Sequence, residues 1–275
     1  MILLVNLSYL KASSSSQPPN IVIIYADDLG WNDVSFHGSP QIPTPNIDAL
    51  ALSGITLQNY YGEWLCTPSR ASLLTGKYPM RLGLQHLVIL GGQASGLPLN
   101  ETTMPQRFKK FGYETHMIGK WHLGYQTKEY TPTYRGFDSF FGYWNGLIDY
   151  YDHTYLEQSC SSLSQPFFGL DFHDNLEHVL DAQGKYATHV FTEKAEEVIM
   201  KHDTSKKFQE HDIEVWTINC QQRKEPPISR KIRSGARQRL CPASFEWGGL
   251  RRDSAQRDNG LPPCSKIIFS ILSNE

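Results

Sequence analysis

The sequence lacks any hydrophobic run long enough to span a bilayer. Its first ten residues, MILLVNLSYL, are apolar, but Asn6 and Ser8 interrupt them, and a membrane helix needs roughly 20 residues. A Ser-rich stretch follows, so we interpret residues 1–19 as a shortened secretory signal or flexible leader. We therefore expect no membrane span and a secretory route, to a lysosomal or extracellular destination. The glycosylation sequon Asn100-Glu101-Thr102 fits that route.

The chain also lacks the excess of positive charge that nucleic-acid binding requires. It carries 26 Lys and Arg against 28 Asp and Glu, a formal net charge of -2. Residues 1–205 hold 13 basic and 20 acidic side chains, whereas residues 206–275 hold 13 and 8. We expect no nucleic-acid partner, because phosphate neutralisation needs a basic face. Residues 206–275 form a compositionally distinct basic tail.

Cysteine is scarce, and its spacing matches no metal-binding or disulfide pattern. The odd count leaves at least one cysteine free or modified. The five positions are Cys66, Cys160, Cys220, Cys241 and Cys264.

Alternating strand and helix patterns run through residues 20–205. NIVIIYADD and YETHMIG are typical of strands, as is ITLQNYY, whereas PNIDALALS, SRASLLT, TTMPQRFKKFG and ATHVFTEKAEEVIMKH are typical of helices. This alternation predicts an α/β fold with a mostly parallel sheet flanked by helices. After Ser205 the pattern ends, apart from one short strand at Ile213–Ile218. We expect residues 206–275 to be poorly ordered and the final KIIFSILS to be too short to anchor anything.

Two adjacent carboxylates, Asp27 and Asp28, follow the first buried strand. In open α/β sheets, ligands bind at the carboxyl ends of the strands. Neighbouring carboxylates repel each other unless a cation lies beside them, and a hard divalent ion would relieve that repulsion. The residues alone leave open a solvated strand end with a turn-forming aspartate.

Cys66 comes directly before a Thr-Pro helix start, near free N–H groups and the positive end of the helix dipole. Arg70 lies one turn further on and can bind an oxyanion with two hydrogen bonds. Lys120 and His122 follow the strand YETHMIG, so they can reach the same sheet edge. Together these residues predict an anion-processing site. Taken singly, each has an ordinary alternative as a solvated lysine, a structural histidine or an inert cysteine.

Two motifs carry a family resemblance. CTPSRASLLTG resembles the sulfatase motif C-x-P-S-R-x-x-x-L-T-G, and GYETHMIGKWH resembles the second sulfatase motif, G-Y-x-T-x-x-x-G-K-W-H. The similarity runs from about Asn20 to about Ser205, and RGFDSFFGYWNGLIDYY looks most like the arylsulfatase B branch. The resemblance implies an incomplete N-terminal domain of the alkaline-phosphatase-like sulfatase fold.

The resemblance also implies roles for the six site residues. Cys66 would be oxidised to formylglycine by the formylglycine-generating enzyme, and the hydrated aldehyde would attack sulfur. Asp27 and Asp28, with the modified Cys66, would bind Ca²⁺. Arg70 would steady the nucleophile and the metal, Lys120 would bind the sulfate ester, and His122 would hold the hydrate and help it lose a proton. The substrate would be a sulfated glycosaminoglycan or another sulfate ester, including aryl sulfates.

The chain departs from the family pattern after Ser205. Sulfatases complete the calcium site with a later Asp-Asn pair and the sulfate pocket with a later His and Lys, none of which is securely matched here. Asp258-Asn259-Gly260 resembles the pair, but no strand pattern precedes it. This divergence suggests a truncated or frame-shifted end, or an alternative isoform. The leading hypothesis is a calcium-dependent formylglycine sulfatase. The alternatives are a catalytically inactive sulfatase-like fragment, and a phosphatase or phosphodiesterase of the same superfamily. The last class uses Ser or Thr and zinc, so Cys66 argues against it.

Overall fold

The computed structural model describes residues 2–4, 20–157, 167–202, 211–219 and 265–271. Within these ranges, the strands are β1 (Ile2–Leu4), β2 (Asn20–Asp27), β3 (Ile55–Thr56), β4 (Tyr113–Lys120), β5 (Ser139–Tyr143), β6 (Thr154–Glu157), β7 (Phe167–Leu170), β8 (His173–Asp174), β9 (Glu177–His178), β10 (His211–Asn219) and β11 (Ser265–Ile271). The α-helices are α1 (Pro45–Ser53), α2 (Cys66–Thr75), α3 (Met104–Lys109) and α4 (Ala187–Lys201). None of the helices in these ranges has the length and apolar character needed to cross a membrane.

A mixed sheet organises the described residues, with the strand order β3-β1-β11-β2-β10-β4-β5-β8-β9. The five central strands, β11, β2, β10, β4 and β5, are parallel to one another. The strands at both edges are antiparallel, and β6 and β7 form a separate two-stranded sheet. The predicted α/β fold with a mostly parallel sheet is confirmed.

Helices cover both faces of the sheet. Side chains alternate along a strand, so Ile23 of β2 packs with Ala71 and Leu74 of α2, whereas its neighbour Ile24 packs with α1. In the same way, Met117 of β4 faces the cluster that contains α2, and Ile118 faces α4. The result is a three-layer arrangement in which β2 and β4 lie in the buried centre, with their carboxyl ends at one edge.

Two strands of the sheet come from residues 206–275. The predicted strand Ile213–Ile218 is present as β10, which lies between β2 and β4 and places Asn219 opposite Asp27. The strand β11 was not predicted, and it pairs with the other side of β2. The boundary at residue 205 and the order of the rest of the tail stay predictions, because those residues lie outside the described ranges. The same holds for the leader, of which residues 2–4 are described.

Two local predictions differ from the structure. The stretch ITLQNYY forms a strand only at Ile55–Thr56, because a turn follows at Gln58 and Asn59; asparagine favours such turns. Helix α2 begins at Cys66 rather than after it, with Leu65 at the N-cap position. Cys66 is therefore part of the first helical turn. The helix ends as predicted at Gly76, which has the left-handed φ of 69°.

Candidate active site

The carboxyl end of β2 carries Asp27 and Asp28. Asp27 is the last strand residue and is fully buried, whereas Asp28 is exposed and has a left-handed φ of 54°. The backbone turn at Asp28 is a strained conformation for a residue with a side chain. Ligand atoms of Asp27, Asp28 and Cys66 all lie within 4.8 Å of one another. The three predicted metal ligands therefore converge.

Two cations hold the carboxylate of Asp27. Nζ of Lys120 donates to Oδ2 at 2.7 Å, and the Arg70 guanidinium donates to Oδ1 at 3.0 Å. Burial alone would raise the pKa of Asp27, but Lys120 and Arg70 outweigh it and hold that pKa well below its ordinary value. Asp27 is thus ionised at all physiological pH values. Lys120 and Arg70 together carry one positive charge more than the Asp27 carboxylate that they share, whereas Asp28 adds an exposed negative charge beside them. The two cations can bind an anionic ligand, and the two carboxylates can bind a metal ion.

Cys66 lies in the first turn of α2 and is half-buried. Burial raises the pKa of its thiol, and Asp27 adds to this effect, although Lys120 and Arg70 oppose it. A thiol with a raised pKa is a weak nucleophile, because the thiolate is the reactive form. The unmodified side chain is therefore poorly suited to nucleophilic catalysis.

His122 follows β4 and has a left-handed φ of 57°. Its Nε2 lies 2.9 Å from the carbonyl oxygen of Ile89. Since a carbonyl can only accept, Nε2 carries the proton and Nδ1 carries the lone pair. Burial, reinforced by the positive charge of Lys120, lowers the pKa of His122 to about 3. Its Nδ1 is buried and has no hydrogen-bond partner among the described residues. This neutral ring offers an acceptor for a hydroxyl group.

Arg70 is tied to both strands of the site. One guanidinium nitrogen donates to the carbonyl oxygen of Lys120, at the end of β4, and the other to Asp27, at the end of β2. The guanidinium also lies over the ring of Tyr25, 5.1 Å from its centroid, within the range of a cation–π interaction. Thr67 extends the link, because its hydroxyl donates to the carbonyl oxygen of His122.

The ring of His122 packs directly against the chain at Gly146. A Cβ at that position would lie 2.5 Å from Cε1 of the ring, so a larger residue would displace the imidazole. Asp171 fixes this stretch, since its carboxylate accepts the backbone N–H groups of Trp144 and Asn145. Sequence analysis missed four supporting residues, because each acts through a contact that depends on the fold: Tyr25, Thr67, Gly146 and Asp171.

The structure thus brings together all six residues predicted from the sequence. Direct contacts or short distances join Asp27 to Asp28, Cys66, Arg70 and Lys120. His122 joins through Thr67 and through its electrostatic interaction with Lys120. Their chemical roles stay predictions.

The sequence is similar to one known protein family over most of its length. The sulfatase family profile matches residues 19–209. The chain belongs to the sulfatase family. The predicted family and its alkaline-phosphatase-like fold are thereby confirmed.

Curated sulfatases are similar to this chain over part of their length. The chain is 43% identical to arylsulfatase J of Mus musculus over 194 residues, which are 70% of this chain and 31% of that protein. It is 45% identical to arylsulfatase A of Homo sapiens over 129 residues, 46% of this chain and 25% of that protein. N-acetylgalactosamine-6-sulfatase of Homo sapiens is 39% identical over 152 residues, 52% of this chain and 29% of that protein. The chain thus spans less than a third of each relative.

Two solved structures are similar to this chain in fold and in sequence. Ps i-CgsB, in complex with k-i-k-neocarrahexaose, superposes with a TM-score of 0.61 at 31% identity, over 74% of this chain and 45% of that chain. BT4656, in complex with its substrate D-glucosamine-2-N,6-O-disulfate, gives a TM-score of 0.54 at 30% identity, over 73% of this chain and 34% of that chain. Both neighbours contain a bound sugar.

Proposed function

We propose that this chain carries the nucleophile side of a sulfuric ester hydrolase site. Cys66 would be converted to formylglycine, and Asp27 and Asp28 would bind calcium beside it. The observation that carries the proposal is the convergence of these three residues with two buried cations, Lys120 and Arg70, at one edge of the sheet. A phosphatase with a Ser or Thr nucleophile is disfavoured, because Cys66 occupies the start of α2.

The donor set fits calcium once Cys66 is modified. Calcium prefers oxygen ligands and takes about 6 to 8 of them, and two carboxylates lie together at the end of β2. A thiol is a soft ligand and fits a hard cation poorly, whereas a hydroxyl of hydrated formylglycine fits well. When bound, calcium would supply positive charge opposite the sulfuryl oxygens. Asp27 would share its carboxylate between the metal and the two cations that it already contacts.

The surrounding side chains suit a sulfate ester. Formylglycine would supply an aldehyde whose hydrate is the nucleophile. Lys120 and Arg70 would stabilise the negative charge that builds on the sulfuryl oxygens. Nδ1 of His122, which has no hydrogen-bond partner among the described residues, would accept a hydrogen bond from a hydroxyl group of the hydrate and so help it lose a proton. The raised pKa of the Cys66 thiol favours this account over a cysteine nucleophile.

The substrate class follows from the charge of the site and from the relatives. We infer a sulfated glycosaminoglycan or another sulfate ester, since the relatives include an N-acetylgalactosamine-6-sulfatase. The formylglycine-generating enzyme would be a necessary partner. We further propose a secretory route, lysosomal or extracellular, and glycosylation at Asn100, whose side chain is exposed.

A second candidate is a sulfatase-like chain with little or no turnover. In the described ranges, the only group of potential metal ligands at the site is Asp27, Asp28 and Cys66, fewer than calcium requires. Loss of one preorganised charge-stabilising donor typically costs about 3 to 4 kcal/mol of barrier. We therefore expect weak aryl-sulfate hydrolysis from residues 1–275 alone.

Hydrolysis of a chromogenic aryl sulfate tests both candidates. The samples are the chain itself, a version extended with a complete sulfatase C-terminal half, and Cys66→Ala in each. We expect turnover in the extended version, which Cys66→Ala abolishes, and little in the chain itself. Turnover that survives Cys66→Ala would contradict the proposed nucleophile. Near-equal turnover by the two lengths would contradict the expected weakness of the shorter one.

A further inference from the structure

Exposed aromatic side chains lie in the chain segments that adjoin the candidate site. Tyr61 and Trp64 are more than half exposed, at 58% and 57%, and Tyr60 is 40% exposed. We call this surface, together with the partly buried Trp31 and His37, the aromatic rim. Contiguous exposed apolar surface frequently marks a ligand or partner site.

The aromatic rim borders the site through both of its chain segments. Trp64 is two residues before Cys66, so their Cα atoms are at most about 7 Å apart. The backbone here is fixed, because the hydroxyl of Ser69 donates to the carbonyl oxygen of Glu63 at 2.7 Å. Trp31 is three residues after Asp28, at most about 11 Å away. Both chain segments of the aromatic rim are therefore continuous with a site residue, one with Asp28 and the other with Cys66.

The two segments meet through their rings. The ring centroids of Trp31 and Tyr61 are 5.7 Å apart, at an interplanar angle of 37°. His37 stacks on Trp31 at 3.9 Å, and its Nδ1 lies 2.7 Å from the carbonyl oxygen of Trp31. These contacts fix part of the aromatic rim before any ligand arrives. Such preorganisation reduces the entropy lost on binding.

Polar residues adjoin the aromatic residues along the chain. Asn32, Asp33 and Asn59 are exposed and adjoin Trp31 or Tyr60 in the sequence. A sugar ring matches this mixture, because it presents a face of C–H groups that packs on an aromatic ring and an edge of hydroxyl groups that hydrogen-bonds to amides and carboxylates. A purely apolar occupant would leave these polar groups without partners.

We propose that the aromatic rim is a subsite for a pyranose ring of the sulfated glycan, adjacent to the sulfate-binding cations. The inference rests on the proposed function for its substrate class. The cations of the site bind the sulfate group, whereas the body of the sugar is uncharged and needs a different surface. The aromatic rim supplies that surface, because Trp64 and Trp31 lie only two and three residues from Cys66 and Asp28.

Saturation-transfer NMR on the full chain tests the subsite with an uncharged, unsulfated disaccharide of N-acetylgalactosamine and galactose. This probe has no sulfate ester, so its binding does not depend on turnover. We expect saturation of sugar C–H protons in the wild type and about tenfold weaker binding in Trp64→Ala and Tyr61→Ala, the effect of roughly 1.4 kcal/mol. Tyr78→Ala is the matched control, because Tyr78 is 73% exposed and follows the opposite end of α2.

The possible outcomes separate this inference from the proposed function. Failure of the wild type to bind the disaccharide would overturn the subsite, as would unchanged binding in both rim variants or an equal loss in Tyr78→Ala. Aryl-sulfate turnover is measured on the extended chain in parallel. Sugar binding that depends on Trp64 and Tyr61 supports the subsite even if the extended chain does not hydrolyse the aryl sulfate. In that case the absence of turnover contradicts the proposed hydrolase function and not the subsite.

Discussion

The ammonium group of Lys120 lies 2.7 Å from the carboxylate of Asp27, and both side chains are fully buried. Arg70 occupies the other carboxylate oxygen at 3.0 Å. The contact joins the last residues of β2 and β4, which are separated in the sheet by β10. Asp27 thereby has a structural role as well as its proposed role in metal binding.

Replacing Asp27 should destabilise the fold. Asp27→Asn would leave two buried cations without their anion, and breaking a buried ion pair by removing one partner costs about 3 to 5 kcal/mol. The measurement is the free energy of unfolding in urea. Glu197→Gln is the control, because Glu197 is 41% exposed and pairs with Lys194 and Lys201; such pairs contribute at most about 1 kcal/mol. Equal losses in the two variants would show that Asp27 is not an essential counter-ion.

His122 should make the protein sensitive to acid. Its pKa is about 3 when folded, against an ordinary value of 6.5. Between these values the unfolded chain binds the extra proton, so stability falls as the pH drops from 6.5 towards 3. We expect His122→Gln to have a shallower loss of unfolding free energy between pH 6.5 and about pH 4.5, above the range where Asp27 titrates. His86→Gln, at an exposed histidine, is the control. Identical pH slopes in wild type and His122→Gln would contradict the assignment.

A methyl group at Gly146 should disturb the ring of His122. The added Cβ would lie 2.5 Å from Cε1, whereas a Cβ at Gly169 meets nothing within 4 Å. Overpacking of this kind typically costs about 1 to 3 kcal/mol. We expect Gly146→Ala to lower the thermal midpoint and Gly169→Ala to leave it nearly unchanged. If both variants have the same thermal midpoint as the wild type, the close packing of the His122 ring against Gly146 is contradicted.

Calcium should bind weakly and through Asp28. Two aspartates and the modified Cys66 supply only part of the about 6 to 8 ligands that calcium takes, so water must complete the shell. Calorimetry should give weak binding in the wild type and none in Asp28→Asn. Asp152→Asn, at another exposed aspartate, is the control. Tight binding that persists in Asp28→Asn or in Asp27→Asn would exclude the proposed metal site.

The sequence predicts five of the six site residues because each lies within two residues of the end of a recognisable element, and it predicts Arg70 because that residue lies one helical turn after Cys66. Asp27 ends a buried strand, Cys66 opens a helix, and Lys120 ends a second strand, and a parallel sheet brings such ends to one edge. The ion pair between Lys120 and Asp27 was not predicted, since strand order cannot be read from local pattern. Lys120 was expected to contact sulfate only.

Other features depend on distant contacts and were missed for that reason. Gly146 matters only because His122 lies against it, and Tyr25 only because Arg70 lies over its ring. The strand β11 was missed because a short apolar run gives no sign of a pairing partner far away in the sequence. Its pairing with β2, together with that of β10, also shows that β2 is not left as an open edge.

The chemical state of Cys66 tests the account most directly. The chain is expressed in cells whose secretory pathway modifies other sulfatases, and trypsin with a glutamate-specific protease then releases the peptide Trp64–Arg70 for mass spectrometry. We predict a mass lower than that of the thiol peptide, by the replacement of sulfur and two hydrogens with one oxygen. The hydrate has the same nominal mass as the thiol peptide, so it is identified by its failure to be alkylated with iodoacetamide. An unmodified thiol in every copy, while a known sulfatase from the same cells is converted, would contradict the proposed formylglycine site.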